Sequence, residues 1–206
     1  MTDWSLGGIT ALGAFHGLNP AMGWLFAVAI GLQTRSRKAL LLAIIPLAIG
    51  HEASVGLTVL LVNEARVLTS EEVIRPFAAG LLLAVAVWKI WRAGRHPRWV
   101  GMRLSFRELA LWSFLMSTAH GAGLMLFPFV LGGQGHEHDA VLASGAADAF
   151  VAAGVHTLAM AAVAAAVALV VYQVVGVGIL RKAWFNLDRV WAFALVVGAA
   201  ATLLVP

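Results

Sequence analysis

The chain is 206 residues long, 61% hydrophobic and only 12% charged, with a mean hydropathy of +0.89; soluble domains sit nearer half apolar and a quarter charged, and a water-soluble body of this size has too little interior to hide so much apolar surface. The formal charge of +4 and a pI near 10.3 do not point to nucleic acid as a partner, because the Arg and Lys residues cluster in short gaps between apolar runs, the pattern of loops kept on the cytoplasmic face of a membrane. The absence of cysteine excludes thiol redox chemistry, disulfides and thiolate metal sites.

A bilayer core of about 30 Å takes about 20 apolar residues in a helix. Runs of that kind cover 6–32, 39–62, 74–91, 109–131, 147–171 and 184–205, which predicts an all-α integral membrane protein of six spans in a single domain, 1–206. Residues Met1 to Ser5 lack the basic stretch of a cleavable leader, so the first run is expected to stay as a span. Arg35, Arg37 and Lys38 join spans one and two. Arg92, Arg95, Arg98, Arg103 and Arg107 join three and four, and Arg181, Lys182 and Arg189 join five and six. The alternate loops carry most of the acids: Glu64, Glu71, Glu72, Glu137 and Asp139. The expected location is therefore the cell (inner) membrane, with both termini outside, on the periplasmic side of a Gram-negative host. The segment 96–107, with Trp99, Met102, Leu104 and Phe106 among arginines, suits a short interfacial stretch.

A weak internal repeat runs along the chain. Ala14-Phe-His16-Gly17 in span one resembles Thr118-Ala-His120-Gly121 in span four, 104 positions later (120 − 16). The same offset carries His51 to within one residue of His156, and Leu47-Ala-Ile-Gly50 corresponds to Val151-Ala-Ala-Gly154. Each half, about 6–92 and about 107–205, holds three spans, so the second copy is expected to lie inverted, as in secondary transporters whose site forms between the halves.

His16, His51, His120 and His156 fall inside these runs. An ionisable group at that depth costs a few kcal/mol and normally faces the bundle interior or a water-filled path. Imidazole is the commonest neutral metal ligand, although a single membrane histidine is as well explained by a hydrogen bond between helices. His16, Asn19 and Gly23 share one face of span one, His51, Ser54 and Thr58 one face of span two, and Ser113, Ser117 and His120 one face of span four. His156 shares its face with Met160, and Asp148 stands near the outer end of span five. Asn19-Pro20 predicts a kink or a break that frees the carbonyl of His16, since Pro20 has no N–H to give it; Pro46 and Pro128 offer similar weak points. Glu52 is the one carboxylate deep within a run, a candidate ligand, proton carrier or partner of a histidine. The outer loop His136-Glu137-His138-Asp139 reads as a flexible solvated loop or as a metal-attracting cluster.

With the motif Gly13-Ala-Phe-His16-Gly17-Leu-Asn19-Pro20 in span one, about 200 residues and a 3+3 arrangement, the chain resembles the lysine-exporter (LysE) superfamily. That grouping includes the nickel/cobalt NicO exporters, the CcdA and TauE/SafE-like proteins and the HupE/UreJ-type permeases. It departs from the NicO pattern in having no Asp after His16 within that run. It departs from the CcdA pattern in having no cysteine, which removes electron transfer of that kind. The resemblance implies transport of a small solute.

These readings together predict a secondary transporter rather than an enzyme. Its expected substrate is a divalent transition metal ion, with His16, His51, Glu52, His120 and His156 as ligands, Asn19, Ser54, Thr58, Ser117 and Asp148 along the pathway, and His136, Glu137, His138 and Asp139 collecting ions outside. A nitrogen/oxygen site without thiolate suits Ni, Co, Zn, Mn or Fe. Two alternatives stay open: an intramembrane metalloenzyme using a His/carboxylate centre, and an exporter of an amino acid or other small organic solute. The expected partners are the lipid bilayer and the transported ion or solute, with a homo-oligomer also compatible.

Overall fold

A computed structural model describes residues 3–91, 104–126, 141–175 and 188–204, and every element among them is helical. Helix α1 spans Asp3–Leu18, α2 Trp24–Thr34, α3 Arg37–Leu68, α4 Glu71–Trp91, α5 Phe106–His120, α6 Val141–Val170 and α7 Asp188–Leu204. Short 3₁₀ turns follow α1 (Pro20–Met22) and α5 (Leu124–Leu126), and α6 runs on into a π turn, Val171–Val175.

Among the described residues three stretches are long and apolar enough to cross a bilayer: Arg37–Val62, Glu72–Trp91 and Phe150–Val174. The stretch 6–32, expected as one span, is divided between α1 and α2. The cause is local. Pro20 offers no N–H, and the chain turns through Asn19, whose Oδ1 accepts the Ala21 N–H at 3.0 Å. Gly23 then closes the turn and opens α2 at φ 107°, a left-handed conformation that a side chain would strain. Elsewhere proline is accommodated: Pro46 lies inside an uninterrupted α3, leaving only the Leu42 carbonyl without its helical donor. Helix α3 also runs past the expected 39–62 at both ends, started by Ser36, whose hydroxyl accepts from the Ala39 N–H.

Helix α1 packs along α6, α5 along α3, α4 against α7, and α3 crosses α6. The contacts give the directions. Gly13 meets His156 and Ala159 while Gly17, one turn on, meets Met160 and Val163, so α1 and α6 run parallel. Ser113 bonds the Leu47 carbonyl, and Ser117 meets His51, so α5 and α3 are parallel too. Leu40 and Leu47 of α3 lie against Gly31 and Gly23, at the end and start of α2, an antiparallel hairpin.

Small residues fill the seams and large ones face out. Ala27, Ala79, Ala86, Ala153, Ala168 and Ala199 are buried, while Leu61, Phe77, Trp91, Leu158, Phe193 and Leu204 are exposed. In water an apolar surface so extensive would drive aggregation. In lipid it costs nothing, and close approach of helix backbones through small residues is what holds the bundle together. The all-helical architecture and its apolar exterior are compatible with membrane insertion.

Candidate functional site

Three of the four buried histidines meet at the centre of the bundle. His16 comes from the last turn of α1, His51 from the middle of α3 and His156 from the middle of α6, and all three side chains are 0% exposed. The ring centroids are 4.8 Å apart for His16–His156, 5.3 Å for His51–His156 and 5.7 Å for His16–His51. His51 and His156 are stacked, their planes 17° apart, and His16 stands edge-on to both, at 66° and 74°.

Each ring is held differently. His16 Nδ1 donates to the Leu12 carbonyl at 2.9 Å; a carbonyl only accepts, so in the neutral ring the lone pair sits on Nε2. His51 Nδ1 is 2.7 Å from the Ser117 hydroxyl, and its Nε2 is buried without a hydrogen-bond partner. Neither nitrogen of His156 has a hydrogen-bond partner; one lies beside the Ile9 carbonyl without hydrogen-bonding geometry. Thr157 Oγ1, next in sequence, is also buried and unbonded. Unmet polar atoms in a packed interior are costly, typically about 1–3 kcal/mol each, and several of them are concentrated here.

Helix packing explains the placement. Gly13 and Gly17 let α1 approach α6 so closely that a Cβ at Gly13 would collide with the His156 carbonyl oxygen, and one at Gly17 with that of Met160. On the other side Gly50 lies against the backbone of Ala110 and Phe114, bringing α5 onto α3. The two glycine seams hold α1 and α6, and α3 and α5, near contact distance, and the rings project into the space between.

His120 ends α5, nearly buried, with Nδ1 donating to the Met116 carbonyl at 2.7 Å, within electrostatic reach of His16. Asn19 is buried beside the break, its Oδ1 used for the turn and its Nδ2 unbonded. The carbonyl of His16, expected to be free, accepts the Asn19 N–H at 3.0 Å, because the chain tightens into a 3₁₀ turn once the proline denies it the helical donor. Glu52 is half-buried, with Oε2 fully enclosed and without a hydrogen bond. Ser54 meets Thr118 at 2.9 Å and Thr58 returns to the Ser54 carbonyl, so these two serve the α3–α5 seam. Thr58 also lines an apolar groove of about 280 Å³ between α3 and α4, with Leu61, Ile74 and Phe77. The side chain of Asp148 and the outer cluster His136, Glu137, His138 and Asp139 lie outside the described residues, as does Pro128.

Two residues unmarked by the sequence patterns secure the break. Trp24 Nε1 donates to the Leu18 carbonyl and Trp112 Nε1, from α5, to the Ala21 carbonyl, both at 3.3 Å, while the Trp112 ring packs edge-on against Phe26. For Trp24 the one sequence cue is its position a turn after Pro20; Trp112 offers none, because its carbonyl partner is set by how α5 packs.

Among the described residues no three His, Asp or Glu side chains are placed to hold a metal ion as they stand. The stacked rings explain why. Imidazole lone pairs lie in the ring plane, and two nearly parallel planes side by side share no point at which one ion could meet both. Three imidazoles are the donor type that first-row divalent ions favour, but as placed the three rings do not converge on one point.

No family model, curated protein or solved structure matches the chain.

Proposed function

We propose that the chain is a secondary membrane transporter that carries a divalent transition metal ion through the site formed by His16, His51 and His156. The observation that carries this reading is the convergence of three fully buried imidazoles from three helices, with ring centroids within 5.7 Å, and with buried nitrogens on His51 and His156 that nothing in the protein satisfies. Structural histidines in membrane helices bond to a neighbouring helix; His156 does not. Asn19, His120 and Glu52 stand next in line as ligands or orienting groups for an ion passing the break.

The reading of six spans in two inverted halves supports it. The first half is α1 with α2, then α3 and α4; the second is α5, α6 and α7. The turns Pro20–Met22 and Leu124–Leu126 are 104 positions apart (124 − 20), the offset that relates His16 to His120. Adding 104 to Gly13, which packs on His156, gives Ser117, which bonds His51; subtracting it from 156 gives 52, one residue from His51. The parallel pairs α1/α6 and α5/α3 are thus counterparts, while α3/α6 and α4/α7 pair corresponding helices across the axis relating the halves. Such a frame alternates access by rocking one half against the other around a central site. The lysine-exporter resemblance agrees with it.

The test is metal analysis of the detergent-purified protein, dialysed against each ion, together with ion flux in proteoliposomes. Wild type should retain Ni, Co, Zn, Mn or Fe and carry it across the vesicle membrane, and His16→Ala with His51→Ala should abolish both. Equal, negligible metal in wild type and double mutant for all five ions would overturn the reading.

A further inference from the structure

Helices α3 and α4 follow one another with only Thr69 and Ser70 between them, yet α4 packs along α7 rather than along α3. The two meet near their joint, where Val62, Ile74 and Ala78 form a small buried cluster. The apolar groove of about 280 Å³ lies between them, with Leu124 of the turn after α5 among its walls.

The chemistry of the groove restricts what can fill it. Of the side chains that line it, only Thr58 and Thr69 carry a polar atom, and Thr58 already donates to the Ser54 carbonyl at 2.9 Å. A buried water takes two to four polar partners, so water is no stable occupant. Leu61 on one wall and Phe77 on the other are 62% and 72% exposed, which opens the groove onto the apolar exterior of the bundle. Its depth fits one leaflet. The apolar span of α4 is Glu72–Trp91, and the α4 wall runs from Val73, at the end of that span, to Leu81, at its middle. Those eight steps cover about 12 Å of helix, against about 15 Å for half of a bilayer core. At the Val73 end the surface turns polar, with Thr69, Ser70 and Glu72 exposed and Arg75 half-buried. A second copy of the chain suits the groove less well, because a stable interface takes about 800 Å² from each partner and a slot between two helices offers far less.

We propose that the α3–α4 groove is a phospholipid site: one acyl chain lies along it with its methyl end toward Thr58, and the headgroup rests on the polar rim at Thr69 and Ser70. The inference rests on the membrane reading and is independent of what the histidines bind. The chain completes a seam that α3 and α4 do not make with each other. It thereby ties the α4–α7 pair, which meets the core at Leu12, Phe15, Leu124 and Met125, to α3 as well.

The probe is a phosphatidylcholine with a diazirine near the middle of one acyl chain, added to proteoliposomes of phosphatidylethanolamine and phosphatidylglycerol. Photolabelling is mapped by peptide mass spectrometry. Labelling at Leu61, Ala65 and Phe77 should saturate as the probe fraction rises, the mark of a site. Labelling at Leu158 on α6, 72% exposed, should grow in proportion, the mark of ordinary contact with lipid. Ala65→Trp and Leu81→Trp, which put an indole into the groove, should each abolish the saturating component and leave Leu158 unchanged. Stripping lipid with detergent should then lower the unfolding midpoint of wild type more than that of either variant. Proportional labelling at the groove, or a saturating component that survives both variants, would overturn the proposal; so would groove residues shielded from the probe in a dimer, which would give the face to a second copy. If neither variant folds, the wild-type saturation curves decide alone. A chain that does not enter the vesicles would remove the membrane reading itself, whereas loss of metal binding or flux would leave the lipid site standing.

Discussion

At the scale of single residues, the histidines were legible because an ionisable side chain in an apolar run has few reasons to be there. Their grouping by three was not, since it depends on the register between α1, α3 and α6, which no single run encodes. His120 sits on its own helix carbonyl and Glu52 keeps one enclosed oxygen, so the same residue class plays unequal parts. Gly13 is the clearest case of a role visible only in the folded molecule: in sequence it is one of 21 glycines, and in the bundle it is where α1 touches the His156 backbone. Gly13→Ala should therefore push α1 from α6, lowering stability by roughly 1–3 kcal/mol as overpacking does; thermal unfolding in detergent measures it. A variant as stable as wild type would mean that the seam yields freely.

At the scale of elements, Asn19-Pro20 forecast an interruption, and the chain is interrupted there. How the interruption closes was beyond the sequence, because two of its carbonyls are met by indoles, one of them on another helix. Trp112→Phe keeps the ring contact with Phe26 but removes the N–H to Ala21. It should cost about 1 kcal/mol, seen as a lower unfolding midpoint together with faster amide exchange at residues 20–23. The start of α5, placed at 109 by the apolar run, is set locally a turn earlier: Ser105 and Glu108 form a reciprocal cap, with the Glu108 carboxylate accepting from the Ser105 hydroxyl and backbone N–H at 2.7 Å each. The Ser105 hydroxyl, then its backbone N–H, hold the Glu108 carboxyl below its ordinary value. A lowered carboxylate favours the fold at pH above the ordinary glutamate range, and that contribution is lost as pH falls through the lowered value. A ¹³C titration of Glu108 should show a midpoint below that of an unstructured glutamate, and Ser105→Ala should return it upward.

At the scale of the whole molecule, composition pointed to lipid as the solvent and the bundle is compatible with it, small residues inward and large apolar ones outward. Among the described residues three helices carry the length and apolarity of a span on their own. Among the described residues the run 6–32 is divided, which a count of apolar residues cannot register because a turn inside a run leaves hydropathy unchanged. The expected orientation has a direct check, since a chain without cysteine accepts a single engineered thiol cleanly. Thr34→Cys, beside the basic α2–α3 connection, should react with an impermeant maleimide only after cells are opened. Ser70→Cys, between α3 and α4, should react in intact cells. The reverse pattern would place the basic loops outside.

The stacked rings of His51 and His156 lie where α3 passes α6, the middle helices of the two proposed halves. On the proposed transport reading a pivot and a cargo berth would share this spot: a tilt of one half would shear the two rings past each other, and a cargo that parted them would tilt the halves. Loading and reorientation would then be one motion viewed from two ends.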